Sequence, residues 1–240
     1  MEKVLVDGIV IPYEIKHSKK AKRINLTVRE DLVKISLPWG IPLKTAREFM
    51  ELKKEWVLGH IQSFQKRKRE KLSRKFLAGE KFPYLDQIIT LQTRSIAGEQ
   101  IEVHLTGDTI WICLPEKLAK TDRSFQVRAA LFSWYKEQAR TILGEKIVYY
   151  AQLLGVSCNQ FRIKEQKTRW GSCSNKGNIN LNWRIILAPE SVVNYLVLHE
   201  VAHLKQLNHS SAFWQLIEKH LPDYRSCKKW LKEQGRDLFF

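Results

Sequence analysis

Long hydrophobic runs are missing from this 240-residue chain. No stretch of about 18 apolar residues occurs, so no transmembrane helix is expected. Cysteine is scarce. The four thiols, Cys113, Cys158, Cys173 and Cys227, fit no Cys-x-x-Cys spacing of a zinc finger or a redox centre. An apolar N-terminal segment with a small-residue cleavage site is also absent. Val4, Val6, Ile9 and Ile11 instead flank an Asp7-Gly8 turn in a strand pattern. These absences lead to an expectation of reduced thiols in a cytoplasmic protein. Acidic residues are in the minority, 25 against 41 Lys and Arg, for a formal net charge of +16. That excess would draw in nucleic acid, an anionic nucleotide or an acidic protein. It concentrates in two runs, Lys16 to Arg23 and Lys66 to Lys75. Without base-reading aromatics they read first as a solvated loop and an exposed helix end, and second as nucleic-acid contacts.

What is present is ordinary globular material, with 8 Trp and 10 Phe to fill a sizeable core. Three segments share one grammar of strands, a short Leu/Ala-Pro break and an apolar helix, the third breaking at Ala188-Pro189. Strands around 3–15 and 23–37 lead through Pro38 to an apolar helix from about Pro42 past Leu52 and Trp56. Strands around 82–94 and 100–114, with a Thr106-Gly107-Asp108 hairpin turn, lead through Pro115 to a helix from about Ser124. Ile11-Pro12-Tyr13 is echoed by Phe82-Pro83-Tyr84, Leu37-Pro38 by Leu114-Pro115 and Trp56 by Trp134, as in a diverged duplication. The long second helix ends near Leu154-Gly155. Strands follow at Gln160 to Glu165 and Trp170 to Leu187, the latter split by an Asn175-Lys176-Gly177 turn. Ile179, Leu181, Trp183 and Ile185 alternate with polar residues, the period of a half-buried strand. Helices are expected from Pro189 to about Leu204, from Ser211 to His220, and from Asp223 to Gln234 with Gly235 as C-cap.

The helix from Pro189 is apolar nearly all round, so it is buried. Yet it carries His199-Glu200-Val201-Ala202-His203. Histidines four residues apart on a helix point the same way and can occupy two corners of a zinc tetrahedron. Glu200, one step round, lies beside such a metal without binding it. Zinc lowers the pKa of a bound water from about 15.7 to about 7, and the carboxylate can take and return its proton. A chance match would bury Glu200 at a cost of several kcal/mol, with no Lys or Arg on its helix to offset it. A catalytic zinc needs a third protein ligand and an open position. His209, six residues after His203, has the metzincin spacing, with Gln206 where metzincins have glycine and Asn208 able to supply a left-handed turn. Glu218 is the competing third ligand. His220, His17, His60 and His104 read as ordinary histidines, Cys173 as a packed thiol, and Trp170, Trp183 and Trp214 first as core. Arg169, Trp170, Asn182 and Arg184 are candidates to line a cleft in which an extended peptide adds to the preceding strand.

The segment Arg169 to Trp214 resembles the YgjP-like metallopeptidase family and, more distantly, the WLM and SprT-like zinc peptidases. The likeness rests on a Trp170-Gly171-Ser172-Cys173 hairpin, a Leu181-Asn182-Trp183-Arg184 strand, the histidine helix, Asn208-His209-Ser210 and Phe213-Trp214. The resemblance implies zinc as cofactor, His199, His203 and His209 as metal ligands, and Glu200 as catalytic base. Val201 stands where the family usually has Leu. The expected fold is α+β: a zincin-like catalytic core at 121–240, its histidine helix packed on a small β-sheet, after a β-rich basic region at 1–120.

The leading expectation is a zinc metallopeptidase in which zinc-bound water, activated by Glu200, attacks a peptide carbonyl. Tyr224 and His220 are the candidates for a second oxyanion donor. One rival is a metal-dependent nucleotide (NTP) pyrophosphatase using the same site. It is favoured by the positive charge and opposed by the lack of a P-loop or a Mg²⁺-binding carboxylate cluster. The other is a nucleic-acid-binding protein with a structural zinc site.

Overall fold

The structure, a computed structural model, describes residues 1–29, 32–166 and 168–238, without the side chains of 66–73 and 120. Most of the second basic run, 66–73, therefore lies outside the described side chains. The chain forms two compact units, Met1–Arg74 and Lys75–Phe240. The boundary thus falls well before residue 120. The strands between 81 and 115 belong with the later helices because Phe82, Leu91, Ile112 and Leu114 share one core with them.

In the first unit, β1 (Glu2–Val6), β2 (Ile9–His17), β3 (Asn25–Val28) and β4 (Val33–Leu37) form a sheet of order β1-β2-β4-β3. Asp7 and Gly8 both have positive φ, 49° and 77°, as a two-residue type I′ hairpin turn requires. Val33, Ile35 and Leu37 alternate inward on β4 and meet Ala46, Met50 and Val57 of α1 (Leu43–Ser73) in a separate core. Leu52 and Trp56 of α1, in contrast, are exposed.

The second unit begins with the same plan. β5 (Lys81–Tyr84), β6 (Gln87–Ile96), β7 (Glu102–Thr106) and β8 (Thr109–Pro115) take the order β5-β6-β8-β7. In both sheets the outer pairs are antiparallel and the central pair is parallel. Each sheet leads to a helix of more than 30 residues. That of the second unit, α2 (Arg123–Leu154), buries Val127, Leu131, Tyr135, Ala139, Leu143 and Ile147, a stripe spaced by four residues. Gly155, left-handed at φ 64°, closes it. A third sheet, of order β10-β11-β9, contains β9 (Gln160–Lys164), β10 (Gly171–Cys173) and β11 (Asn178–Asn182).

The strand expected to run on to Leu187 stops at Asn182. Its side chain accepts a hydrogen bond from the Arg184 N–H and caps a 3-10 turn over Trp183–Leu187, all five residues of which are buried. Three helices follow: α3 (Glu190–Ala202), α4 (Ser211–His220) and α5 (Tyr224–Glu233). Gly235 does not act as a left-handed C-cap; it opens a 3-10 turn, and a Cβ there would lie 3.1 Å from the Trp170 ring. The start of α3 is tied down from two sides. Asp86 accepts from the Glu190 N–H at 3.1 Å, and Lys146 donates to the Glu190 carboxylate at 2.6 Å. Among the described residues no helix is long and apolar enough to cross a membrane.

Asn182 is fully buried and its amide donates to the carbonyls of Gln166 and Arg169, at 2.6 and 3.3 Å, which holds the loop entering β10. Asn182→Ala strands these partners. The expected cost is about 1–3 kcal/mol for each buried group left unsatisfied, read as a lower midpoint in chemical denaturation. An unchanged midpoint would show that the loop is held by other means.

Candidate metal centre

α3 is buried on almost every side, and nine of its 13 residues, Glu200 among them, are inaccessible. His199 lies in its last turn and His203 is its C-cap residue. The chain then turns through hydrogen bonds from the N–H groups of Lys205 and Gln206 to the Ala202 carbonyl. It brings His209 back one residue before Ser210, whose hydroxyl caps α4 by accepting from the Phe213 N–H. Neither Gln206 nor Asn208 adopts a positive φ, so the return needs no left-handed residue. Gln206 contributes its backbone instead: its carbonyl lies 3.1 Å from His203 Nδ1. That bond assigns the proton to Nδ1 and leaves Nε2 as a free donor atom.

The three histidines converge. Each offers a ring nitrogen within 4.8 Å of the others, and the Nε2 atoms of His199 and His209 are 3.0 Å apart. Burial holds His199 down to a pKa of about 3, reinforced by His203, His209 and Lys228, and the same causes lower His209. Neutral imidazoles with lone pairs aimed at one point suit a divalent cation. His199 Nδ1 is buried with no hydrogen-bond partner among the described residues. Glu218 does not join the group. It pairs with Arg225 at 3.0 Å.

Glu200 is 5% exposed and burial alone pushes its pKa up to about 7. No cation faces its carboxyl within ion-pair distance among the described residues. Against it lies the backbone of β10: a Cβ added at Gly171 would stand 2.5 Å from Glu200 Oε1 and 2.7 Å from its Cδ. Gly171 is thus the position at which the strand backbone closes on Glu200. Its signal was the glycine inside a Trp-Gly-Ser-Cys strand, where a missing side chain marks close approach. The Cys173 thiol is pushed up to about 11, chiefly by burial and then by the charges of Glu200 and Cys158, which makes it an inert packed thiol.

Aromatic rings wall the histidines. Phe213, fully buried, stacks on His203 at 4.7 Å, and Trp214 stacks on His209 at 5.5 Å. Tyr224, 6% exposed, stacks between Trp214 and Tyr195, so it is a buttress. Lys228, one turn further along α5, places Nζ 3.9 Å from the Trp214 ring centroid. A pocket of about 560 Å³ opens beside His203, between the segment Val156–Asn159, the turn Ser174–Gly177 and Leu207.

Two residues expected at a cleft do not line one. Asn182 is buried in its loop contacts, and Arg184, 8% exposed, pairs with Glu165 at 2.8 Å and lies over the Trp183 ring. A second cluster, Glu102, His104 and Cys113, lies on the β7–β8 face. There His104 pairs with Glu102, and the Arg94 guanidinium donates to the Cys113 sulfur at 3.0 Å, which opposes a cation.

These features are those of a metallopeptidase, and comparison with known proteins gives the family. The chain belongs to the YgjP-like metallopeptidase domain family, whose model matches residues 22–234. Among solved structures it is similar to the metallopeptidase zymogen abylysin of Pyrococcus abyssi. The identity is 27% and the TM-score 0.36, over 39% of this chain and 96% of that one. For the metallopeptidase zymogen jannalysin of Methanocaldococcus jannaschii the identity is 25% and the TM-score 0.32, over 38% of this chain and 95% of that one. No curated protein matches the sequence.

The contact between Gly171 and Glu200 can be tested by a double-mutant cycle. Gly171→Ala is expected to lower the thermal midpoint of the otherwise unaltered chain and to cost much less in a Glu200→Ala background. Equal losses in the two backgrounds would mean that Glu200 does not set the need for glycine.

Proposed function

We propose that this protein is a zinc-dependent peptidase with His199, His203 and His209 as the metal ligands and Glu200 as the general base. The observation that carries this reading is the juxtaposition of three convergent imidazoles with a buried carboxyl that has no ion-pair partner among the described residues. When bound, zinc supplies Lewis acidity at the scissile carbonyl. The protein's own groups do the rest. Glu200, with a pKa near neutrality, can accept a proton from the attacking water at a carboxylate oxygen and return it to the leaving amine. Gly171 lets the β10 backbone press on that carboxyl and restrict its orientation. His203 is held in one tautomer by the Gln206 carbonyl. β10 is an edge strand of its sheet, so an extended peptide can add along it. The pocket beside His203 would then receive one of the peptide's side chains.

Two further readings weigh less. A structural zinc site is closed by four protein ligands, whereas among the described residues three converge here, beside a carboxyl that a structural site would not need to bury. A nucleotide pyrophosphatase would need cations clustered for several phosphates. Among the described residues, Lys228 is the Lys or Arg whose charge lowers the pKa of His199 and His209.

The 240-residue chain is expected to carry about one zinc, measured by elemental analysis, with loss or weakening in each of the His199, His203 and His209 alanine variants. Glu200→Gln should keep the metal and lose hydrolysis by at least about a hundredfold, the scale of general acid–base catalysis. Retained turnover in that variant would remove Glu200 as the base. Zinc kept after His209→Ala would move the third ligand elsewhere. A side-by-side assay with a peptide library and NTPs, under zinc or magnesium, decides the substrate class; NTP turnover without peptide turnover would replace the peptidase reading.

A further inference from the structure

In the first unit the connection from β2 to β3 has to pass over the end of β4, because β4 lies between them in the sheet. β2 and β4 run parallel and β3 runs back against β4. All three therefore meet at one end, with His17 opposite Leu37 and Asn25 opposite Ser36. The connection, Ser18 to Ile24, holds most of the first basic run, and the Ser18 N–H ties it to the Leu37 carbonyl at 2.8 Å. From the same end of β4 the chain leaves through Pro38 to Trp39. Trp39 is 66% exposed, and its ring lies 5.9 Å from that of His17. The basic run has no Trp, Tyr or Phe of its own; the fold brings one to it. We propose that this end of the first sheet binds single-stranded nucleic acid, with Trp39 stacking on an unpaired base and Lys19, Lys20, Lys22 and Arg23 contacting the phosphates beside it.

Three observations carry this. First, the cations are available. Lys19, Lys20, Lys22 and Arg23 are exposed, and none has a carboxylate within ion-pair distance among the described residues, whereas Lys16 is taken by Glu14 at 2.9 Å. Second, the ring is available. A tryptophan left in water forgoes its large burial, and an exposed indole beside cations is the stacking platform of a single-strand site. Third, the second unit repeats the sheet without these residues. Its connection from β6 to β7 crosses the end of β8 in the same way, with Ile96 opposite Pro115. That connection reads Ala97-Gly98-Glu99-Gln100-Ile101, with no Lys or Arg, and Glu116 follows Pro115 where Trp39 follows Pro38. The sheet is thus built without cations or ring at this place, so its stability does not call for them. The ring also selects the partner. A duplex keeps its bases stacked inside, so only an unpaired base can lie on Trp39. An acidic peptide would use the cations and leave the ring idle. An anionic bilayer would take apolar residues from the loop, which offers only Ala21 and Ile24, both half-buried.

The test is fluorescence anisotropy of the 240-residue chain with labelled oligothymidylate and oligouridylate of about 12 nucleotides, within the usual span of a single-strand site. A duplex of the same length and inorganic polyphosphate serve as competitors, and phosphatidylserine vesicles are tested separately by flotation. Binding of either strand fulfils the proposal, and the ratio of the two affinities assigns the preferred sugar. The single strands should bind at least about tenfold tighter than the duplex. Trp39→Ala should weaken them about tenfold at an unchanged thermal midpoint, and Trp39→Phe, which keeps a face to stack on, should restore most of the loss. Replacing Lys19, Lys20, Lys22 and Arg23 together by Gln should make the slope of log affinity against log salt shallower by about 2–3. The proposal is overturned if Trp39→Ala binds within about twofold of the unaltered chain, if duplex or polyphosphate competes as well as the single strand, or if the quadruple variant keeps the salt slope. Trp39-dependent binding to the vesicles without oligonucleotide binding would also overturn it and make this a membrane-facing surface. None of these readouts needs zinc or peptide turnover, so the outcome is independent of the peptidase reading.

Discussion

A carboxyl group buried without a charged partner costs on the order of several kcal/mol, and the position of Glu200 in α3 imposes that cost on the whole second unit. The cost is met partly by a raised pKa, about 7, which leaves the group poised between its two protonation states near neutrality. It is also the reason the surrounding backbone is so specific. A Cβ at 171 would stand 2.5 Å from a Glu200 carboxyl oxygen, so a side chain there would force the carboxyl or the strand to move. The strand that carries this glycine is short and needs an anchor, supplied by Asn182 through the carbonyls of Gln166 and Arg169. The same asparagine ends β11 and starts the buried 3-10 turn that leads to α3. One amide side chain thus couples the wall behind Glu200 to the entry of its own helix.

The histidines are governed by the same desolvation, acting in the opposite sense. Burial favours the neutral imidazole, so His199 remains a lone-pair donor far below neutrality. The aromatic wall of Phe213, Trp214, Tyr224 and Tyr195 excludes water from this side while leaving the ring nitrogens pointed at one another. Low dielectric and convergent lone pairs are together what makes a metal site. The wall also explains why α4 and α5 follow the histidine loop directly. They supply the rings, and Ser210 starts the first of these helices immediately after the last histidine.

Much of the architecture was legible because it is local. The alternation in β11, glycine at the hairpin turns and the end of α2 near Gly155 are all set by period and backbone chemistry within a few residues. The histidine spacing on α3 belongs to the same class. The two four-stranded sheets share strand order and pairing, in line with the echoes between their sequences. Less legible were the places where a distant partner decides. The strand beyond Asn182 alternates convincingly in sequence, yet a side-chain cap turns it into a 3-10 helix, and Arg184 is buried because Glu165 and the Trp183 ring receive it. Gly235 had the sequence position of a C-cap, but it opens a 3-10 turn that packs closely on the ring of Trp170, 65 residues earlier in the chain.

The sequence by itself determined that two histidines and a glutamate share one buried helix, because helical periodicity and an all-round apolar composition require no knowledge of the remaining chain. Tertiary structure alone decided which further groups meet them. His209 rather than Glu218 converges on the pair, since Glu218 is taken by Arg225. Gly171 abuts Glu200, Trp214 covers His209, and Lys228 comes to rest on Trp214. Spacing along the chain carries no signal for such contacts. They arise where separate helices and strands are pressed together by burial, and the side chains that meet are chosen by the packing of the whole unit.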